Sequence, residues 1–249
     1  MNLTQINFID ILTNLAADLI WFVLGGIVTI IARYFYIVFP TKRLWGLYEP
    51  EKTIICTATT KDNTGIYLRP ATGIGQLKAI THIVTSLNKA YKKFNFKNIL
   101  SSEEEIKQSI ENDIILLGGP KNNQITKLFF KNFDNYNLVL QDDEEDSAIY
   151  WQKTNKIFRG KTDENDIVVK DYGIIIKTDN FFSTDKNTKI LLFSGCHTYG
   201  TIAAARYFCE SVQKKLKWKK KKNYILLISC IVKDGYPIKI KLKDKIFLT

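Results

Sequence analysis

The longest hydrophobic run lies near the start of the chain. Residues 19–39 (LIWFVLGGIVTIIARYFYIVF) carry one charge, Arg33, and about 20 apolar residues rising 1.5 Å each cross a hydrocarbon core of about 30 Å. The pattern predicts a single transmembrane helix over 19–39, after an N-terminal extracytoplasmic segment (1–18) and before a linker (40–52). A cleaved leader fits less well: residues 1–17 hold no Lys or Arg, contain Asp10, and no small-x-small site follows the run. Trp21, Tyr34, Tyr36 and Trp45 sit where interfacial aromatics belong.

From residue 53 to 249 short apolar runs alternate with apolar residues at spacings of three and four, the pattern of a sheet covered by helices. Residues 53–59 (TIICTAT) predict a strand and 76–94 a helix, with Leu77, Ile80, Ile83, Val84, Leu87, Ala90 and Tyr91 along one side. A short strand at 96–100 and a polar helix from Ser102 to about Glu111 follow. The run 113–117 (DIILL) ends in Gly118-Gly119-Pro120 before a helical pattern over 122–133. Residues 137–180 break the rhythm with strand-like runs at 137–140, 148–151, 157–159, 167–170 and 173–177, which predict an inserted antiparallel segment. The third strand-loop-helix unit starts at 189–194 (KILLFS) and continues through Ile202, Ala205, Cys209, Val212 and Leu216. Residues 224–232 and 238–248, joined by Lys233-Asp234-Gly235-Tyr236, form a C-terminal hairpin. The expected fold is α/β, with a mostly parallel sheet and helices on both faces.

Charge adds direction. Among 249 residues, 36 Lys and Arg stand against 25 Asp and Glu, a net +11. Arg33, Lys42 and Arg43 lie on the C-terminal side of the apolar run and Asp10 and Asp18 on the other, so the large domain is expected in the cytoplasm, held at the cell membrane. Cys56, Cys196, Cys209 and Cys230 have no CxxC spacing, as suits reduced thiols. Seven lysines fall between Lys214 and Lys222, leaving 11 − 7 = +4 for the rest of the chain. This local patch suits contact with anionic lipid, or a solvated helix end; nucleic acid is the weakest reading, with only Trp218 interleaved. The acidic stretch 142–146 lacks a DxDxDG pattern and reads as a solvated loop rather than a metal site.

Three loops follow a strand and open a helix: 69–76 (RPATGIGQ), 118–123 (GGPKNN) and 195–201 (GCHTYGT). In an open α/β sheet such loops gather at the carboxyl ends of the strands, where helix N-termini offer N–H groups and partial positive charge to an anion. Arg69, Thr72, Gln76, Asn122, Asn123, His197, Thr198 and Thr201 supply donors or neutral groups, and Gly73, Gly75, Gly118, Gly119, Gly195 and Gly200 let a ligand approach the backbone. No Asp or Glu interrupts the three motifs, which favours an anionic ligand and disfavours a magnesium-dependent phosphotransfer site. The third loop runs GxxxxGT, with Thr201 where a P-loop needs Lys. No catalytic residue, metal or cofactor is assigned; Cys196-His197 are neighbours on a loop without an acid partner, His82 is structural, and Asp171 and Asp179, which flank the GIIIK strand, read as turn residues ahead of the alternative that they reach the site from the inserted segment.

The Gly118-Gly119 loop and the Gly200-Thr201 pair resemble the Rossmann-like nucleotide-binding superfamily of the Smf/DprA and LOG proteins, whose nucleotide-sensing members are often joined to membrane segments. The resemblance implies a Rossmann-like sheet and a nucleotide-like ligand. LOG-type hydrolases carry a Glu three residues after that Thr, and here the position is Ala204. The expected function is a membrane-anchored cytoplasmic module that binds a nucleotide-like or phosphorylated small molecule and signals through its anchor or through homo-oligomers. The alternatives are an enzyme of the glycosidic-bond hydrolase type and a membrane-proximal scaffold.

Overall fold

The computed structural model describes residues 8–58, 60–63, 68–91, 96–101, 106, 109–133, 139–142, 147–212 and 223–248. Its N-terminal helix is longer than the apolar run alone predicts: α1 (Phe8–Arg33) passes through a π turn (Tyr34–Val38) into α2 (Phe39–Trp45) without a break. No Pro or Gly interrupts residues 8–18, so nothing stops the helix there. Pro40 lacks the N–H that would continue the ladder; just before it the backbone widens, with the Phe39 N–H donating to the Tyr34 carbonyl five residues back. The segment is long and apolar enough to cross a membrane, and its most apolar stretch packs against nothing else in the chain.

The last turn of that helix belongs to the domain rather than to a linker. Thr41, Leu44 and Trp45 are buried, and the Trp45 ring lies 4.8 Å from Phe208 and 6.5 Å from Phe193, with its Nε1 donating to Ser86 Oγ at 3.0 Å. Gly46 (φ +61°) ends the helix in the left-handed conformation. The buried Lys177 Nζ donates to the Leu44 carbonyl at 2.6 Å, capping the helix C-terminus. The buried Asp113 carboxylate accepts from the N–H groups of Tyr48, Glu49 and Lys189. Together these contacts bind the helix end to one edge of the sheet, hereafter the anchor edge.

After this helix come β1 (Ile54–Thr57), a hairpin of β2 (Thr60–Asn63) and β3 (Leu68–Ala71), α3 (Ile74–Ala90), β4 (Ile99–Ser101), β5 (Ile114–Leu117) and α4 (Gln124–Asn132). A separate three-stranded sheet holds β6 (Val139–Asp142), β7 (Ser147–Trp151) and β8 (Lys156–Arg159). The chain continues through β9 (Lys161–Thr162), β10 (Val168–Asp179), β11 (Lys189–Gly195), α5 (Thr198–Tyr207) with a terminal π turn (Phe208–Val212), β12 (Tyr224–Lys233) and β13 (Tyr236–Phe247).

The main sheet has eight strands in the order β13-β12-β10-β11-β5-β1-β4, with β9 beside β10. β4, β1, β5, β11, β12 and β9 run one way; β10 and β13 run against them. The fold is thus α/β with a mostly parallel, mixed sheet and a C-terminal hairpin. Asp234 and Gly235 both have positive φ, the two-residue turn that Asp-Gly favours. β10 corrects the sequence reading: the runs at 167–170 and 173–177 are one strand of twelve residues, placed inside the main sheet between β11 and β12 and not in an insertion. The predicted polar helix at 102–111 and the lysine run at 214–222 lie largely or wholly outside the described residues, as do residues 143–146 of the acidic stretch.

Both faces of the sheet are buried. In β5, Ile115 and Leu117 face a core shared with α2, α3 and α5, while Ile114 and Leu116 face α4 and the small sheet, through Ile125, Phe129, Ile149 and Trp151. None of the four β5 side chains is exposed, and each such burial is worth about 1.5–3 kcal/mol. The first and last connections, α3 and α5, lie on one face, and α4 leaves β5 for the other.

Candidate functional site at the carboxyl edge of the parallel strands

At the edge opposite the anchor, β1 leads through α3 to β4 on one side, while β5 leads through α4 toward β11 on the other. This divergence makes the ends of β1 and β5 a topological switch point, the position in an open α/β sheet where a crevice forms. Side-chain hydrogen bonds tie the end of β1 to the start of α3 here. Thr72 Oγ1 donates to the Ala58 carbonyl at 2.6 Å, and Gln76 Oε1 accepts from the Ala58 N–H at 2.8 Å. Gly118 (φ +91°) turns the chain out of β5, and a Cβ there would meet the Gln76 amide at 3.0 Å.

The three loops do come to this edge, but their helix N-termini differ in what already occupies them. At α4 the cap is Asn123, fully buried, whose Oδ1 accepts from the Ile125 and Thr126 N–H groups, both at 3.0 Å, and whose Nδ2 donates to the Leu117 carbonyl at 3.0 Å. At α5 the fully buried Asp171 carboxylate, from β10, accepts from the N–H groups of His197, Gly200 and Tyr172. Burial pushes the Asp171 carboxyl above the usual carboxylate range, against the N–H bonds and the nearby His197, which favour the ionised form. Asp171 is therefore neither a turn residue nor open to a ligand: it fills the α5 anion position from within.

At α3 no side chain caps the helix. Gly73 is the N-cap, no acidic residue lies in the first turn, and a Cβ on exposed Gly73 would meet nothing within 4 Å. Gly75 abuts Thr198 of α5, where a Cβ would lie 1.6 Å from Thr198 Oγ1, so the two helix starts are in van der Waals contact. Gly119 is half-buried, with only Ser194 Oγ, at 3.4 Å, near its Cβ position. The open part of the edge is thus Gly73, Ile74, Thr198 and Gly119.

The other sequence-predicted residues sit as follows. Gly195 and Gly200 face the fold itself: a Cβ on Gly200 would be 2.0 Å from the Tyr172 carbonyl oxygen, and one on Gly195 would be 2.5 Å from the Thr201 nitrogen. Thr201 is buried, and Asn122 is exposed. Arg69 pairs with Asp62 across the β2–β3 hairpin, and its side chain lies outside the described residues. The His197 ring covers Gly160, between β8 and β9, where a Cβ would lie 2.4 Å from Nε2. The sequence reading missed Ala58, Gly160 and Ser194 as parts of this edge; Gly160 had a signal, a lone glycine between two strand-like runs.

Burial raises the thiols of Cys56, Cys196 and Cys230 to about 12, so none is a poised nucleophile. Among the described residues no three His, Cys, Asp or Glu side chains gather as a metal site. Searches against protein-family models and curated proteins return no match to this chain.

Proposed function

We propose that the chain is a membrane-anchored cytoplasmic module that binds a phosphorylated or nucleotide-like small molecule at the carboxyl edge of β1 and β5 and reports it as a sensor or signalling component. The observation that carries this reading is the uncapped α3 N-terminus at the switch point, lined by Gly73, when the α4 and α5 termini are filled by Asn123 and Asp171. A phosphate seated there takes the unmade N–H bonds of the first helical turn, with the Thr198 hydroxyl beside it. In this reading β4-β1-β5-β11, with α3 and α4, is a Rossmann-like unit, and the Gly118-Gly119 turn carries the resemblance to the Smf/DprA and LOG superfamily. Gly200 and Thr201 serve the packing of α5 in this reading, and Asp171, being fully buried, is no candidate for touching substrate. These features favour binding over catalysis.

The test is calorimetry on the full chain in detergent with AMP and ADP, beside mass spectrometry of small molecules released on denaturation. Gly73→Asp places a preferred capping carboxylate in the open position. The variant is expected to melt at or above the wild-type temperature while AMP or ADP binding is lost. Wild-type protein that binds neither probe and releases no phosphorylated molecule overturns the reading, and turnover of either nucleotide transfers the site to the enzyme class.

A further inference from the structure

Away from the loop edge, a cavity lies between the π turn that ends α5 and the edge strand β13. It encloses about 180 Å³ and is lined by Arg206, Tyr207, Glu210, Ser211, Lys239 and Ile240. Two backbone irregularities meet on it. The π turn (Phe208–Val212) carries Glu210 and Ser211, and the β12–β13 ladder is bulged between Ser229 and Ile231, opposite the part of β13 that holds Lys239. Lys239 has φ +48°. Among the described residues the other non-glycine positive-φ positions are Asn155, Asp166 and Asp234, the residue types that tolerate that region, whereas Lys239 is a long side chain inside a strand. Such an outlier costs free energy where glycine would not, and strained positions of this kind cluster at functional sites.

Arg206 and Glu210 are held from behind. Arg206 Nε donates to both Glu210 carboxylate oxygens (3.1 and 3.2 Å), Nη1 donates to the Pro237 carbonyl at 3.4 Å, and the guanidinium lies 5.6 Å from the centre of the Tyr236 ring. The Tyr236 hydroxyl is 2.8 Å from His82 Nε2, while His82 Nδ1 lies 3.7 Å from Glu210. These bonds orient the Arg206 fork and engage Nε and Nη1, which leaves Nη2 for a ligand. Among the described residues the side chains of Lys239 and Ser211 have no hydrogen-bond or ion-pair partner. Two cations against one carboxylate already paired with Arg206 make an anion the matching guest. At about 30 Å³ per water the cavity holds roughly six waters, too small for a nucleotide.

We infer that this cavity is a separate site for a small multivalent anion, of the size of phosphate or a short dicarboxylate, held by Arg206 and Lys239 with Ser211 beside them. The test is calorimetry on the full chain in detergent, carrying Gly73→Asp so that the α3 site does not contribute, with inorganic phosphate and malonate as probes. Saturable one-site binding of at least one probe is expected. Arg206→Gln should weaken it by about 10- to 100-fold, the effect of losing a charge-assisted hydrogen bond. Lys239→Gly is the sharper variant: glycine relieves the backbone strain, so the melting temperature should hold or rise while affinity falls about tenfold. Absence of saturable binding by both probes, or equal affinity with and without Lys239→Gly in the Gly73→Asp background, overturns the proposal. Neither result bears on nucleotide binding at α3, which is read separately with AMP and ADP.

Discussion

Glycine at the carboxyl edge has two uses that look identical in a sequence. At Gly75, Gly195 and Gly200 the missing Cβ lets one part of the chain lie against another, and at Gly73 and Gly119 it leaves a surface open. The loop motifs were therefore legible as strand-to-helix turns, but which glycine faces a ligand depends on β10, whose Tyr172 and Gly173 backbone presses on Gly200 from far away in the chain. Asp171 is ambiguous for the same reason: beside Lys170 it reads either as a turn residue or as a group reaching the loops, and only the register of β10 shows that α5 starts on it. Gly200→Ala brings a Cβ to 2.0 Å from the Tyr172 oxygen, so α5 and β10 must part; a loss of roughly 2–4 kcal/mol is expected, seen as a large drop in melting temperature. Gly119→Ala meets only Ser194 Oγ at 3.4 Å and should change stability by less than about 0.5 kcal/mol while weakening AMP binding. Equal melting of the two variants would mean that the α5 turn is not packed as described.

Elements were most legible where one period runs unbroken. The α3 stripe, the 113–117 and 189–194 strands and the Asp-Gly hairpin all form near their expected positions, whereas Asp171 splits the pattern of β10 and the N-terminal helix runs on past the apolar stretch to Trp45. The continuation matters because the final turn of that helix, Leu44 and Trp45, is core, joined to β10 through Lys177. Burial first, and the nearby Lys189 second, lower the Lys177 ammonium from 10.5 to about 7 against the opposing pull of Asp113 and Asp179. The sign of the pH effect follows. Between about 7 and 10.5 the unfolded chain holds a proton at this lysine that the folded chain has released, so stability from this group rises with pH across that window and is least below it. Thermal melts of wild type and Lys177→Met in detergent, from pH 6.5 to 10, should show the wild type gaining on the variant by on the order of 1 kcal/mol or more as pH rises. A constant difference would mean that Lys177 keeps its proton in the folded protein.

On the scale of the whole molecule, the docked end of the N-terminal helix and the candidate site stand at opposite edges of one sheet. Tyr48, Glu49, Asp113 and Lys189 meet where the parallel strands begin, while Ala58, Gly118 and Gly195 lie where they end. The seven residues of β11 at about 3.3 Å each put roughly 20 Å between those edges. In the proposed arrangement the ligand loops thus face away from the bilayer and the anchor edge faces it. Asn223, the first described residue after the lysine run, donates through Nδ2 to Asp179 Oδ2 at 2.8 Å, and Asp179 also pairs with Lys189, so the chain rejoins the sheet at the anchor edge. The run holds seven of the net +11 charges, and each lysine near an anionic surface gains about 1 kcal/mol, falling off within a Debye length. We expect the full chain in nanodiscs with about 30% anionic lipid to be cleaved by trypsin at residues 214–222 severalfold more slowly than in neutral nanodiscs, with most of the difference gone at about 0.5 M salt. Four Lys→Gln changes among Lys214, Lys215, Lys217 and Lys219 should remove the lipid dependence at the lysines that remain, Lys220, Lys221 and Lys222. Equal cleavage on both lipids at low salt would leave the run as a solvated basic segment with no part in holding the domain against the membrane.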